Sequence, residues 1–273
     1  MGISSVIEKI DKFKIETSSN RNEIFFRGQK SLDKLVPKLL RSNPDGGEEN
    51  DYKENLIYCD SWIIGNNEFI NCRNSWEILA KMQHYEIDTR LLDWTSSLLS
   101  GIYFAISECI DCKTQCKEDK DKKPGCRGNP CLWVLNSRIM HNEFYSLNLD
   151  KIAFTIGIDK LIDYVDAFVK QEEKKEWEYN EGPIFLEMPW SNSRITSQKG
   201  YFTFHSDDIK NPIPLEDRLS KSLKSKSWLL KIEIDTELKD ELVKEFKIMG
   251  ISEFDIYPGL SSIGRHTIRN LKG

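Results

Sequence analysis

Residues Gln83–Ser97, QHYEIDTRLLDWTSS, run straight into an almost wholly apolar stretch, LLSGIYFAIS, that ends at Ser107. His84, Tyr85, Glu86, Asp88, Arg90, Asp93 and Trp94 sit in the first part, with hydroxyls at Thr89, Thr95, Ser96 and Ser97. A plain core element does not carry carboxylates and an arginine around Leu91, Leu92 and Trp94, because buried charge is costly unless paired and hydrogen-bonded. Two readings stand. Either Arg90 and Asp93 brace each other inside the fold, or the segment lines a polar cleft against an apolar wall.

Upstream, SWEILAKMQHY reads as a helix from about Asn74 to Tyr85 whose core face is Trp76, Leu79 and Met82. A longer helical region precedes it, from about Tyr52 to Ile64. Further back, Ile24, Phe25 and Phe26 read as a buried strand closed by Arg27-Gly28-Gln29. Glycine at that point lets the backbone turn sharply or approach a ligand closely. Arg27 then either reaches into a cleft or emerges at the surface where the strand stops. At the start of the chain, Val6, Ile7, Ile10 and Phe13 share one face of a short amphipathic helix.

Downstream, the apolar run Leu98–Ser107 reads as a helix at the centre of the fold. CLWVLN (131–136), GPIFLEMP (182–189) and WLLKIEI (228–234) read as strands, residues 138–182 as largely helical, and ELKDELVKEFKIMG (237–250) as a helix ended by Gly250. Strands and helices mix without βαβ regularity or internal repeat, so the fold class is α+β, as one domain over residues 1–273.

Composition sets outer bounds. Hydrophobic content of 39% with 30% charged residues describes a globular chain, and a net charge of −5 leaves no global basic field to recruit nucleic acid. No apolar run approaches the roughly 18 residues needed to cross a bilayer. The opening MGISSVIEKIDKF is amphipathic, not an apolar signal segment, and the expected location is cytoplasmic. There is no P-loop, HExxH or GxGxxG, which removes P-loop, zincin and Rossmann chemistry.

Five of the seven cysteines, Cys109, Cys112, Cys116, Cys126 and Cys131, fall in a Lys/Asp-rich insertion over residues 109–131. Thiolates at such short spacings, with Gly125 and Gly128 for tight turns, suit tetrahedral zinc. The alternative is a set of unpaired thiols, since disulfides are disfavoured in a reducing compartment.

Four blocks together resemble the FRG domain family, named for Phe-Arg-Gly, here Phe26-Arg27-Gly28. They are FFRGQ with LVPKLLR after it, QHYEIDTRLLDWTSSLLSGIYFA, RITSQKGYF (194–202) and MGISEFDIYPGLSSIGRHTI near the end. The family is thought to be distantly related to the ADP-ribosyltransferases, which bind NAD in a cleft between two small sheets flanked by helices. That resemblance implies NAD or a related nucleotide as ligand, and cleavage of the nicotinamide–ribose bond as the activity. It implies Arg27, from a first strand, as the grip on phosphates or ribose, Thr89, Thr95 or Ser96, from a second, as the pocket-shaping hydroxyl, and Gln198, from a third, at the catalytic place. Gly28, Gln29, His84 and Arg90 complete the expected ligand-binding set.

Gln198 stands where those enzymes carry a glutamate. A neutral amide positions a ribose hydroxyl but cannot stabilise an oxocarbenium-like sugar, so Asp93, or in second place Glu86, is expected to supply the charge. The contrasting reading is a non-catalytic module that senses a nucleotide or nucleic-acid end, within a mobile-element or phage-defence system.

Overall fold

The computed structural model describes residues 2–19, 23–41, 50–110, 129–144, 154–155, 163–169, 182–187, 193–209, 211–221 and 227–258. In chain order these form helix α1 (Gly2–Thr17), strand β1 (Ile24–Gln29), helices α2 (Asn50–Ile64), α3 (Asn66–Phe69) and α4 (Ser75–His84), strand β2 (Leu91–Thr95) and helix α5 (Leu98–Ile110). Strand β3 (Cys131–Asn136), helix α6 (Ser137–Phe144), the short strand β4 (Phe154–Thr155) and strand β5 (Ile184–Glu187) follow. Helix α7 (Ser193–Gln198), strands β6 (Gly200–Phe204) and β7 (Leu229–Glu233), helix α8 (Thr236–Ile248) and the single turn α9 (Glu253–Ile256) complete the described elements.

The strands make one 7-stranded sheet in the order β4-β5-β6-β2-β1-β3-β7. Every neighbouring pair is antiparallel except β4 with β5, which is parallel. The fold is α+β. The two small sheets that the resemblance implies are here one sheet, joined at its middle by a single paired position, Phe26 with Thr95. By contrast β1 pairs with β3 from Ile24 to Gln29, and β2 pairs with β6 from Leu91 to Thr95.

Side-chain alternation along the strands explains the layers. Ile24, Phe26, Leu132, Val134 and Ile232 pack against Val6 and Ile10 of α1, Ile102 and Ile106 of α5, and Leu242 and Phe246 of α8. On the other half of the sheet, Leu91, Ile184, Leu186, Phe202 and Phe204 pack against Trp76, Leu79 and Met82 of α4. Phe26 lies opposite Thr95, which shares a face with Leu91, so both clusters occupy one face of the sheet. Phe25, Leu92, Trp94, Trp133, Leu135 and Phe185 cover the opposite face as one cluster spanning both halves.

Local chemistry fixes the helix ends. Asn74 caps α4 by accepting from the Glu77 N–H at 2.9 Å, and Asp235 caps α8 by accepting from the Leu238 N–H at 2.8 Å. The Ser97 hydroxyl accepts from the Ser100 N–H at 3.2 Å where α5 begins. Two sequence expectations shift. The first strand runs on through Arg27 and Gly28 to Gln29 instead of closing at Phe26, because all of these residues pair with β3. Gln198 ends a helix rather than sitting on a strand, with β6 starting two residues later.

No helix among the described residues is long and apolar enough to cross a membrane. Cys112, Cys116 and Cys126 lie outside the described residues. Cys109 and Cys131 are buried, and Cys131 belongs to the core cluster under Trp133. Burial pushes the Cys131 thiol up to about 11, the value of a protonated core thiol in the metal-free protein. Among the described residues no group of three His, Cys, Asp or Glu side chains is arranged to hold a metal ion.

Candidate functional site

Beyond the single Phe26–Thr95 pair, β1 and β2 part, and the gap widens into a cleft of about 550 Å³. Arg27, Gly28 and Gln29 line one side and Asp93, Trp94 and Thr95 the other. Gln198 and His84 also line it. The structure thus brings together Arg27, Asp93 and Gln198, which local sequence separates by up to 171 positions (198 − 27).

Arg27 bridges the parting strands. Its Nη1 donates to the Asp93 backbone carbonyl at 2.8 Å and lies 3.6 Å from the Asp93 Oδ2. Its Nε is buried without a partner among the described residues. Burial lowers the guanidinium's affinity for its proton, Asp93 partly restores it, and the nearby charge of Arg41 lowers it further. Arg41, on the same cleft wall, donates from Nε to the Val36 carbonyl at 3.0 Å. The two lysines of the cleft are matched: Lys30 pairs with Glu108 at 2.7 Å and Lys38 with Asp88 at 2.5 Å. A guanidinium fork beside a second arginine is suited to phosphate oxygens.

Asp93 is the accessible carboxylate of this pair, with 57% of its side chain exposed. Its Oδ2 accepts from Gln83 Nε2 at 2.9 Å. Gln198 is less available than expected, because its Nε2 donates to the Ile256 carbonyl at 3.2 Å and so ties α7 to α9. Thr95 lines the cleft, but its hydroxyl donates to the Gln198 carbonyl at 2.5 Å and accepts from the Ser97 N–H at 2.9 Å. Thr95 therefore holds the floor of the cleft together.

Five expected ligand-binding residues have other duties. Arg90 is 1% exposed and outside the cleft lining. Its Nε and Nη2 donate to the two carboxylate oxygens of Glu54 at 2.6 and 2.7 Å, and its Nη1 donates to the Asp207 carbonyl at 2.6 Å. Burial opposes that charge, but Glu54 outweighs it and the net shift stabilises the guanidinium. Arg90 and Asp93 do not brace each other; the partner of Arg90 is Glu54, and Tyr164 donates to the same carboxylate.

Thr89 is fully buried, and Ser96 sits outside the lining, near the Tyr201 hydroxyl. Gln29 is buried with its Oε1 accepting from Trp133 Nε1 at 2.6 Å, which anchors β1 to β3. Gly28 lines the cleft and also answers a packing need. A Cβ there would stand 2.0 Å from the Gly101 carbonyl oxygen and 2.5 Å from the Ala105 nitrogen, both backbone atoms of α5.

Sequence reading missed Gln83, Arg41, Tyr201 and Tyr257, all of which line the cleft. Gln83 opens the segment that drew attention first, and Arg41 closes LVPKLLR; neither carries a local signal of its role. Tyr257, which meets Phe104 edge-on at 5.9 Å, reaches the cleft only because α9 packs against α7.

The FRG domain model matches residues 22–113. That span takes in β1, α4, β2 and α5, and with them Arg27, Gln83 and Asp93; Gln198, Tyr201 and Tyr257 lie beyond it. Neither the curated proteins nor the solved structures supply a match to the chain.

Proposed function

With residues 22–113 of this chain an FRG domain as the premise, we propose that the cleft between β1 and β2 binds NAD or a related nucleotide in an ADP-ribosyltransferase-like manner. The observation that carries the reading is Arg27: a largely buried guanidinium, 16% exposed, that gives one bond to a backbone carbonyl at the mouth of a 550 Å³ cleft and has Arg41 beside it. The volume falls in the range of about 300–1,000 Å³ typical of small-molecule sites. Phosphates fit the arginine end. Asp93 then faces the sugar, where a carboxylate stabilises positive charge developing as nicotinamide leaves.

One observation favours a second reading, binding without turnover. Gln198 is neutral and its amide is engaged with Ile256, so the third catalytic place has no charge of its own. In that case the cleft is a nucleotide- or nucleic-acid-sensing module.

Calorimetry against NAD, ADP-ribose and a single-stranded oligonucleotide, with nicotinamide release measured in parallel, tests both. For the enzyme reading, Asp93→Asn slows release by about two to three orders of magnitude while NAD affinity changes little, because the effect belongs to the transition state. Binding of NAD with no release from the native protein selects the sensing reading. Absence of binding to NAD and ADP-ribose rejects the nucleotide cleft.

A further inference from the structure

Helix α4 ends in a reversal that brings Thr89 to Gln83, whose amide in turn holds the Asp93 carboxylate. Glu86 adopts φ +64° just past the helix. Its N–H donates to the Gln83 carbonyl at 3.1 Å, and the Ile87 N–H donates to the Met82 carbonyl, also at 3.1 Å. Those paired bonds, with Ile87 packed into the same apolar cluster as Met82, are a Schellman stop. The chain turns back sharply there. Thr89 is thereby brought under the side chain of Gln83.

The hydroxyl of buried Thr89 donates to Gln83 Oε1 at 2.5 Å and accepts from the Leu91 N–H at 3.1 Å. This sets the orientation of the amide. The flipped amide would aim its oxygen at Asp93 Oδ2, acceptor against acceptor; as placed, Nε2 donates to that oxygen at 2.9 Å. Arg27 Nη1 approaches the same oxygen at 3.6 Å. Oδ2 of Asp93 is thus held from two sides, and Oδ1 has no partner among the described residues.

We infer that Gln83, locked by Thr89, is a positioning residue that holds Asp93 so that Oδ1 meets the sugar hydroxyl or developing cation of the bound nucleotide. Its kinetic consequence rests on the nucleotide-cleft reading; the positioning itself does not. Gln83 touches no reacting atom and acts through Asp93. Thr89 is part of the site only at third hand, which is why a fully buried hydroxyl lies in a segment otherwise rich in cleft residues.

Gln83→Glu keeps the shape and replaces the donor by a second carboxylate, while Thr89→Val removes the hydroxyl that orients the amide. In both, nicotinamide release is expected to fall by at least about tenfold with NAD affinity within about threefold, since displacing a reacting group by a fraction of an ångström acts on turnover. Thr89→Ser, which returns the hydroxyl, recovers most of the loss. Release and affinity falling together, or neither changing, overturns the kinetic role.

A second measurement needs no turnover. The side-chain amide resonance of Gln83, assigned by its disappearance in Gln83→Ala, is expected to shift in Asp93→Asn and again in Thr89→Val or Thr89→Ala. A resonance unmoved by these changes overturns the relay even if the protein binds NAD. A shifted resonance in a protein that releases no nicotinamide keeps the relay and rejects the enzyme reading instead.

Discussion

The guanidinium of Arg27 spans from β1 to the backbone carbonyl of Asp93 on β2, at 2.8 Å, at the place where the two strands stop pairing. One side chain thus ties the mouth of the cleft and offers its remaining donors to whatever enters. Arg27→Lys keeps the charge but loses the planar fork, and a lysine cannot reproduce bidentate contact with phosphate. Nucleotide affinity is expected to drop by about tenfold or more, with melting temperature little changed, as calorimetry and thermal unfolding will show. Unchanged affinity would place the phosphates elsewhere.

Glu54 and Arg90 form a buried bidentate pair outside the cleft lining. Removing one partner of such a pair leaves an uncompensated charge at a cost of about 3 kcal/mol or more. Glu54→Gln should therefore lower the melting temperature by roughly 10 °C in a chain of this size, while nucleotide affinity at the temperature of the native protein stays close to normal. Loss of affinity without loss of stability would return Arg90 to the ligand site.

At Gly28 the close approach of α5 leaves no room for a methyl group, because both nearest atoms belong to the backbone and no rotamer relieves them. Gly28→Ala is expected to destabilise the fold by about 1–3 kcal/mol, read as a shifted denaturation midpoint. If glycine served a ligand's approach, stability would hold and binding alone would suffer.

Burial pulls the pKa of His141 down to about 4, so the folded protein keeps it neutral where the unfolded chain, near 6.5, has taken up a proton. The stability linked to His141 is complete above pH 6.5 and is lost progressively as pH falls from 6.5 towards 4. His205, buried and lowered in the same sense, adds to that limb. Thermal unfolding from pH 7 to 4 should show the decline, and the difference curve against His141→Gln should isolate the part that belongs to His141. A difference curve flat with pH would exclude it.

Periodicity and caps in the sequence were enough to determine the main elements: Trp76, Leu79 and Met82 mark the core face of α4, alternation marks β7, and the apolar run of α5 marks the helix at the centre. These are local properties, since the spacing of apolar residues decides which element buries them. The same reading selected Arg27 and Asp93 as polar groups beside apolar ones. It did not decide their partners. Arg90 and Asp93 are only three positions apart, yet Arg90 turns to Glu54, 36 positions upstream, and Asp93 to Arg27, 66 positions upstream. Gly28 owes its identity to a helix that arrives seventy-odd residues later, and Gln198 is tied to Ile256, 58 positions on. Charge pairing, close packing and the shape of a cleft are settled by which elements come to lie side by side, and only the tertiary structure decides that.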